Sequence, residues 1–320
     1  MGVRLVRFEK DGDWQWGVMV EERVKPLAAR YPSLGQLLTE GIADVRRAAE
    51  AGEGRWPDEE VRWLCPVTRP ARLLCQGANY ANHRLEAGMA PVRPPYNLIF
   101  AKSDTSLSGP EDDIVRPANV RLLDYEVELA LVIGRPLTEP TRVTADNLGD
   151  YVAGIVMCDD ISARDVQLVE GQWFKGKSYR TFCPTGPFIY LFDEGESGVI
   201  HDLHLNLWVN GELRQSANTG QLLYRPEETL TELSAIVDLA PGDLVLTGTP
   251  GGVALHLTSE EMASLSDPRI PAEDKWALLE RSQAGRAQYL KDGDVVTCEI
   301  HSSDGKVHLG TQRNQVVSLN

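Results

Sequence analysis

The alternation of apolar and polar residues along the chain predicts mostly short β-strands. The most marked run, Asp124–Ile133, is rich in β-branched and aliphatic residues and is closed by a glycine, which is typical of a strand. Successive side chains of a strand point to opposite faces, so Glu126 and Glu128 should lie side by side. Because Ala130 and Val132 continue the same face, the two carboxylates should point into a largely apolar surface.

Two like charges on an apolar surface repel each other unless a positive charge lies between them. A divalent cation would supply that charge, because Mg²⁺, Mn²⁺ and Ca²⁺ prefer hard oxygen ligands. The alternative is a strand whose glutamates reach solvent near its end, and for an isolated Glu-X-Glu this alternative is the commoner one. The motif therefore needs partners elsewhere in the chain.

The beginning of the chain predicts a small α+β unit. Its predicted strands are Val3–Phe8, Gln15–Val20 and Val24–Leu27. A helix is predicted from Ser33, where leucines recur at helical spacing, and a loop rich in Gly, Glu, Arg and Pro follows at Ala51–Pro57. We therefore predict a small N-terminal α+β domain over residues 1–70 and a catalytic domain over residues 71–320.

The remaining apolar runs predict a catalytic part that is predominantly β. The predicted strands are Leu73–Gly77, Leu98–Ala101, Tyr151–Cys158, Leu203–Val209, a strand after Pro241-Gly242, Val295–Ile300 and Val307–Leu309. Asn210-Gly211 is typical of a type I′ hairpin turn. Residues 258–289 turn helical, with a capping box between Thr258 and Glu261 and a break at Asp267-Pro268, so we interpret them as an inserted helical cover.

Two polar segments offer partners for the paired glutamates. Asp160 follows the Tyr151–Cys158 strand, where a carboxylate could close a metal shell that begins on a neighbouring strand; a helix N-cap or an Asx turn is the structural alternative. Lys177 lies in a Lys-Gly-Lys run and could neutralise carboxylates and donate to an oxyanion. A solvated turn is the alternative for that run.

A second kind of chemistry is suggested by His83 and Glu86. They are neighbours if residues 79–86 form a helical turn, and a carboxylate beside an imidazole can orient a general base that activates water. A surface His–Glu pair is the alternative. The Gly- and Pro-rich residues 88–95 that follow are suited to a movable loop, and Thr249 lies in a glycine-rich loop that could hold an anionic group.

The composition of the chain limits which kinds of binding partner are expected. The 320 residues carry a formal charge of −15, which predicts that neither nucleic acid nor an anionic membrane is a partner. No apolar stretch approaches the roughly 20 residues that span a bilayer. Five scattered cysteines without a C-x-x-C pair argue against a disulfide framework or a thiolate zinc site. Since no targeting segment is predicted at the N-terminus, we expect a reducing, cytoplasmic location.

Taken in order, several of these segments resemble the fumarylacetoacetate hydrolase family. The motifs that carry the resemblance are Gly77-Ala-Asn79-Tyr80-x-x-His83-x-x-Glu86, the Lys102 strand, Asp124-Tyr-Glu126-Val-Glu128-Leu, Asp160-Ile-Ser-Ala-Arg164-Asp-x-Gln167, Gly176-Lys177-Ser178, Asn210-Gly211, Thr247-Gly-Thr249-Pro250 and Gly293-Asp294. They cover about residues 73–252, and the last pair extends the match towards the C-terminus. Each motif alone is weak, but their order and spacing make a chance resemblance improbable.

The resemblance implies a mixed β-sandwich roll, usually in homodimers, that acts on a small oxo-acid substrate. It implies that Mg²⁺ or Mn²⁺, with Ca²⁺ as a substitute, is bound by Glu126, Glu128 and Asp160. It implies a water-activating dyad of His83 and Glu86 and an enolate-stabilising role for Lys177. The implied substrate-binding residues are Tyr80, Lys102, Arg164, Gln167 and Thr249.

The chain departs from the family pattern in two residues and one segment. Asp159 stands where Asn is frequent in the family, and Arg180 stands where an acidic residue is common. The segment 258–289 is longer than in compact members. These departures bear on substrate identity and leave the implied metal ligands in place.

The leading hypothesis is a metal-dependent hydrolase that cleaves a carbon–carbon bond of a 2,4-dioxo acid, such as an acylpyruvate or a fumarylacetoacetate-like substrate. An alternative is an oxaloacetate-type decarboxylase, or an isomerase of an unsaturated 2-oxo acid, on the same metal site. A third hypothesis is a non-catalytic β protein with a structural Ca²⁺ site. A structural calcium site needs neither His83 nor Lys177, so these residues favour the enzymes.

Overall fold

The computed structural model of the chain describes residues 2–50 and 52–318. Met1, Ala51, Leu319 and Asn320 lie outside the described residues, and with them the first residue of the predicted Ala51–Pro57 loop and the outer ends of the two predicted domains.

Strands dominate the described part of the chain. They are β1 (Val3–Lys10), β2 (Asp13–Val20), β3 (Arg23–Pro26), β4 (Trp56–Pro57), β5 (Arg62–Leu64), β6 (Leu73–Gln76), β7 (Ile99–Lys102), β8 (Leu107–Ser108), β9 (Ile114–Arg116), β10 (Leu123–Asp124), β11 (Val127–Ile133), β12 (Val152–Asp159), β13 (Ser162–Ala163), β14 (Cys183–Leu191), β15 (Leu203–Val209), β16 (Glu212–Asn218), β17 (Leu244–Leu246), β18 (Val295–Ser302) and β19 (His308–Ser318).

Helices lie between these strands. They are α1 (Leu34–Glu40), α2 (Ile42–Glu50), α3 (Ala81–Glu86), α4 (Leu148–Tyr151), α5 (Arg164–Glu170), α6 (Trp173–Lys177), α7 (Pro226–Ser234), α8 (Ser259–Ser266) and α9 (Ala272–Gln283). Short 3-10 helices cover Asp58–Glu60, Asp104–Ser106, Glu196–His201 and Thr219–Gln221.

Two large sheets organise the described residues, beside a two-stranded sheet formed by β10 and β13. The larger has the strand order β4-β3-β2-β1-β14-β12-β11-β17-β6-β7, with β5 paired to β1 and β8 paired to β14; the smaller has the order β16-β15-β18-β19-β9. Leu129 and Leu131 of β11 share one buried cluster with Leu205 and Leu207 of β15, so the main core lies between the sheets. Such a mixed, predominantly β α+β fold confirms the predicted fold class.

The opposite face of the larger sheet is covered by the first two helices. Ala130 and Val132 of β11 belong to the same buried cluster as Leu34 and Leu37 of α1 and Val45 of α2. Strand β11 is therefore buried on both faces, as the apolar residues on both of its faces predict.

The N-terminal strands extend the main sheet. β1 pairs antiparallel with β14, and Val3 lies opposite Leu191. Residues 2–50 therefore share a sheet with the catalytic part, and the predicted division near residue 70 stays a prediction.

The predicted continuous strand Asp124–Ile133 is wrong in one respect. The chain forms β10, leaves strand geometry at Tyr125 and Glu126, and enters β11 at Val127. The backbone N–H of Glu126 donates to Asp159 Oδ1 at 2.7 Å, and its carbonyl accepts from the N–H of Asp160 at 2.8 Å. These bonds satisfy the backbone of Glu126 beside the candidate site, in place of a regular sheet ladder.

Candidate metal and active site

Three buried carboxylates converge at one end of the β11–β12 pair. Val127 lies opposite Asp159 in this antiparallel ladder, so Glu126 and Glu128 on one chain segment face Asp160 on the other. One carboxylate oxygen from each of the three residues lies within 4.8 Å of the others. The register of two neighbouring strands therefore assembles the group that the sequence suggested.

Two buried lysines hold this group on one side. Lys177 Nζ donates to Glu126 Oε2 and to Asp160 Oδ2, each at 2.7 Å. Lys102 Nζ donates to the other oxygen of Asp160 and, at 2.8 Å, to the carbonyl of Phe182. Asp160 thus bridges two ammonium groups, both within a water-excluding part of the fold.

Arg164 holds the group on another side. Its Nη2 lies 2.6 Å from Glu126 Oε1, and its Nε donates to Asp124 Oδ2 at 2.8 Å. Burial alone would raise the pKa of Glu126, but the charges of Lys177 and Arg164 hold it well below its usual range. Glu126 is therefore a carboxylate at neutral pH.

Glu128 differs from its neighbours because, among the described ion pairs, none involves it. It accepts one hydrogen bond, at 2.8 Å, from the backbone N–H of Gly248. Burial and the nearby charges of Asp160 and Glu126 raise its pKa well above the usual range. Burial likewise raises the pKa of Asp159, which precedes Asp160 in the chain, to about 8.

The local charges fit a divalent cation. The buried carboxylates of the described site are Asp124, Glu126, Glu128, Asp159 and Asp160, and the buried cations are Lys102, Arg164 and Lys177. Carboxylates exceed cations by two, so either two protons or one divalent cation balances the site. Because the three converging ligands are all carboxylate oxygens, Mg²⁺ or Mn²⁺ suits them better than a metal that prefers sulfur.

His83 and Glu86 lie on α3, beside the carboxylates. Glu86 Oε2 is 4.0 Å from His83 Nδ1, too far for a hydrogen bond, and the Glu86 oxygens accept from the backbone N–H of Gly252 at 2.8 and 3.0 Å. Burial lowers the pKa of His83 to about 4. The imidazole is therefore neutral at pH 7 and able to accept a proton.

Two of the predicted substrate-binding residues are held in place by the fold. Thr249 Oγ1 donates to the carbonyl of Val127 at 3.0 Å and accepts from Gln215 Nε2 at 2.8 Å. Gln167 Oε1 accepts from Arg164 Nη1 at 3.1 Å. Sequence reasoning missed Gln215, because it comes from β16 of the smaller sheet and no local motif signals its contact.

A small cavity lies between these groups. Its polar lining is Gln76, His83, Glu126, Glu128, Arg164, Gln167, Lys177 and Thr249. Its apolar lining comprises Ala78, Ala87, Met89, Phe100, Leu168, Trp173, Leu255 and Met262. The apolar wall was missed from the sequence, because its residues come from separate segments that share no motif.

Two predicted substrate-binding residues do not line this cavity in the described structure. Lys102 is buried beneath Asp160, and Tyr80 lines a neighbouring cavity together with Glu86. The structure therefore brings His83, Lys177, Arg164, Gln167 and Thr249 to the cavity beside the carboxylates. Lys102 does not reach the cavity but holds Asp160 in place.

The remaining predictions from the sequence concern the cysteines, membrane-spanning helices, the oligomeric state and the cellular location. The five cysteines are free thiols, in keeping with the prediction that no disulfide framework is present. Within residues 2–50 and 52–318, no helix combines the length and apolar character needed to cross a membrane. The predicted homodimer and cytoplasmic location stay predictions.

Known proteins resemble the chain over nearly its whole length. A curated rat protein (Rattus norvegicus), named oxaloacetate tautomerase Fahd2a, mitochondrial, is 37% identical over 278 residues, which are 86% of this chain and 76% of the relative. The solved fumarylacetoacetate hydrolase from Exiguobacterium antarcticum is 30% identical, with a TM-score of 0.72 over 99% of this chain and 100% of the other. A solved 2-hydroxyhepta-2,4-diene-1,7-dioate isomerase from Mycobacterium marinum is 28% identical, with a TM-score of 0.69 over 99% and 98%.

Two family descriptions divide the chain between them. The Rv2993c-like N-terminal family matches residues 3–66. The family described as fumarylacetoacetate (FAA) hydrolase C-terminal matches residues 72–317, which include every predicted site residue. The resemblance drawn from the motifs is confirmed, and the chain belongs to the fumarylacetoacetate hydrolase family.

Proposed function

We propose that the protein is a divalent-metal-dependent keto–enol tautomerase of a 2-oxo acid that carries an acidic hydrogen at C3. One observation carries this proposal: Lys177, a hydrogen-bond donor held between Glu126 and Asp160, and His83, a neutral base, line the same cavity. A proton donor for an enolate oxygen and an acceptor for the C3 proton therefore face one space.

Two of the three relatives described above have names that favour proton transfer, whereas the Exiguobacterium antarcticum neighbour is named a hydrolase. The rat relative is named an oxaloacetate tautomerase, and the Mycobacterium marinum neighbour is named an isomerase of a hydroxydienedioate. Both kinds of reaction relocate a proton without adding water. This support extends to the class of reaction and to an oxo-acid substrate.

The residues of the chain supply most of the chemistry. A divalent cation held by Glu126, Glu128 and Asp160 would act as a Lewis acid toward the substrate carboxylate and 2-oxo group. Neutral His83 accepts the proton released when the C3–H bond breaks, and its positive charge is then stabilised by Glu86, 4.0 Å away. Lys177 donates a hydrogen bond to the developing enolate oxygen.

The reaction is completed when the proton returns. The enolate oxygen takes a proton from the Lys177 ammonium to form the enol, and the proton held by His83 passes through solvent to restore the ammonium, so His83 becomes neutral again and no atom is gained or lost. The reverse direction uses the same groups in the opposite order. Since burial lowers the pKa of His83 to about 4, the imidazole is regenerated readily at neutral pH.

A second candidate function is hydrolysis of a carbon–carbon bond in a 2,4-dioxo acid. The His83–Glu86 pair favours it, because an imidazole beside a carboxylate can take a proton from water as well as from carbon. Water would then attack the 4-carbonyl, and the bond between C3 and C4 would break to release a pyruvate enolate. An oxaloacetate-type decarboxylase would use Lys177 in the same way without needing His83.

One set of assays separates these candidates. The protein is mixed with the enol form of oxaloacetate in the presence of Mg²⁺, Mn²⁺ or EDTA, and the loss of enol absorbance is followed. Pyruvate release is measured in parallel from oxaloacetate and from an acylpyruvate. We expect metal-dependent acceleration of enol loss without pyruvate release. Pyruvate release from the acylpyruvate alone would support the hydrolase instead, and full turnover in EDTA would contradict the metal role.

A further inference from the structure

We infer that Gln215, on strand β16 of the smaller sheet, is a positioning residue for the metal ligands of the candidate site. It ties the backbone between Glu126 and Glu128 to the loop at residues 247–252, and thereby fixes where these carboxylates and Thr249 lie. Gln215 itself does not line the cavity. The inference rests on the proposed function, because it takes the converging carboxylates to be ligands of a divalent cation.

Gln215 differs from every other residue of its strand in burial. β16 is an edge strand, and its other residues are exposed or half-buried, whereas Gln215 has no exposed surface. It lies opposite Leu207 of β15, a residue of the main core, so its side chain points into the space between the sheets. Because a buried amide without partners is costly, its hydrogen bonds show what it holds.

Three hydrogen bonds fix the orientation of the Gln215 amide. Its Oε1 accepts from the backbone N–H of Val127 at 3.0 Å. Its Nε2 donates to Thr249 Oγ1 and to the carbonyl of Pro250, each at 2.8 Å. Since a backbone N–H only donates and a carbonyl only accepts, the amide cannot be turned over without losing two of these bonds.

The same amide fixes the hydroxyl of Thr249. Thr249 Oγ1 accepts from Gln215 and donates to the carbonyl of Val127 at 3.0 Å. The one proton of this hydroxyl is therefore used within the protein. Val127 is thus held twice, by its N–H through Gln215 and by its carbonyl through Thr249.

Val127 lies in the chain between two of the converging carboxylates, those of Glu126 and Glu128. On the side of β17, the ladder of β11 covers Ala130–Val132 and ends before it reaches Val127. The two side-chain contacts hold the backbone at the point where that ladder has ended. Since this backbone sets where the neighbouring glutamates leave the chain, a shift of Val127 would displace both carboxylates.

The loop that Gln215 holds also contacts two functional carboxylates directly. The backbone N–H of Gly248 donates to Glu128 at 2.8 Å, and that of Gly252 donates to both oxygens of Glu86 at 2.8 and 3.0 Å. Gly252 has a φ of +106°, and a Cβ there would lie 1.9 Å from the carbonyl oxygen of Arg214. The loop therefore packs against β16 immediately beside the buried amide.

The test measures Mg²⁺ affinity of the full-length protein by calorimetry. Gln215→Met keeps the length of the side chain but removes its hydrogen bonds, and should weaken Mg²⁺ binding by about tenfold or more, as the loss of a partner behind the ligands does elsewhere. Gln312→Met is the matched control. Gln312 is equally buried, on β19, and in the described structure its amide has no hydrogen-bond partner and does not line the cavity, so Mg²⁺ affinity should stay within twofold of the wild type.

A double variant tests whether Gln215 and Thr249 act as one unit. Thr249→Val removes the hydroxyl at nearly constant shape and should also weaken Mg²⁺ binding. Because both side chains hold the same backbone unit, Gln215→Met combined with Thr249→Val should bind Mg²⁺ within about threefold of the weaker single variant. Losses that multiply would contradict the joint role.

The remaining outcomes separate this inference from the proposed function. Circular dichroism checks that each variant is folded; if Gln215→Met is not, Gln215→Asn, which keeps the amide but is one methylene too short for all three bonds, should weaken Mg²⁺ binding by several-fold. Unchanged Mg²⁺ affinity in the folded Gln215 variant, or an equal loss in Gln312→Met, would overturn the inference. If the wild type binds Mg²⁺ but does not accelerate enol loss, the proposed function is wrong, and the Mg²⁺ comparison still decides the role of Gln215.

Discussion

Acid should destabilise the folded protein through His83. Burial lowers the pKa of this histidine to about 4, with Arg164 and Lys177 adding to the effect and Glu126 opposing it. In the unfolded chain an imidazole has a pKa of about 6.5. Between these two values the unfolded state binds more protons than the folded state, so the free energy of unfolding falls as the pH is lowered through that window.

The size of the effect follows from the difference between the two pKa values. Each unit corresponds to about 1.4 kcal/mol, so protonation of this one group should cost the fold about 3 kcal/mol between pH 6.5 and pH 4. That is a large part of the roughly 5 to 15 kcal/mol by which a typical domain is stable.

This contribution is measured by urea denaturation of the wild-type protein and of His83→Gln. Each protein is unfolded at pH 7 and at pH 4.5, with EDTA in every sample. From pH 7 to pH 4.5 the free energy of unfolding of the wild-type protein should fall by about 2 to 3 kcal/mol more than that of the variant. His256→Gln, which changes an exposed histidine, should behave like the wild-type protein. If the wild-type and His83→Gln profiles run parallel, His83 is not held neutral by burial, and its proposed role as a base loses its basis.

Four further substitutions test the site from different sides. Glu126→Gln and Asp160→Asn each remove one charge from the carboxylate group and should weaken Mg²⁺ binding by about tenfold or more in a calorimetric titration; unchanged affinity in both variants would remove them from the metal shell. Lys102→Met takes away a buried partner of Asp160 and should lower the free energy of unfolding by about 3 to 5 kcal/mol, which urea denaturation measures; an unchanged midpoint would contradict the pairing. His83→Ala should slow tautomerisation by roughly 10²–10⁴-fold with Mg²⁺ affinity little changed, and an equal loss of any oxaloacetate decarboxylation would mean that His83 binds substrate without moving a proton.

The sequence predicted the local features that depend on near neighbours. The capping box at Thr258 is confirmed, since its hydroxyl accepts from the N–H of Glu261 and the Glu261 carboxylate accepts from the N–H of Thr258. The turn at Asn210-Gly211 is confirmed by positive φ angles of 51° and 82°, as a type I′ turn requires. The meeting of Glu126, Glu128 and Asp160 was also predicted, because strand periodicity and the ends of strands limit where such residues can lie.

Elements that are buried all round escaped prediction. Strand β14 contains Pro184 and Pro187, and prolines argue against a strand when only the sequence is read. Helix α5 has every residue from Arg164 to Val169 buried, so it lacks the polar face that reveals an amphipathic helix. The apolar wall of the cavity was missed for a related reason, because residues as far apart in the sequence as Met262 and Trp173 come to line one cavity only through tertiary packing.

The cavity is built from two parts that differ in how freely their residues can be exchanged. The carboxylates are fixed by the register of β11 and β12, and a shift of one residue would turn the core side chains of β11 to the wrong face, so this half can hardly vary without loss of the fold. The apolar lining comes from loops, from β7 and from helices α5, α6 and α8, none of which pairs in that ladder. Exchanging residues 258–289 for another helical cover should therefore alter the apolar lining while the carboxylates at the strand ends stay in place.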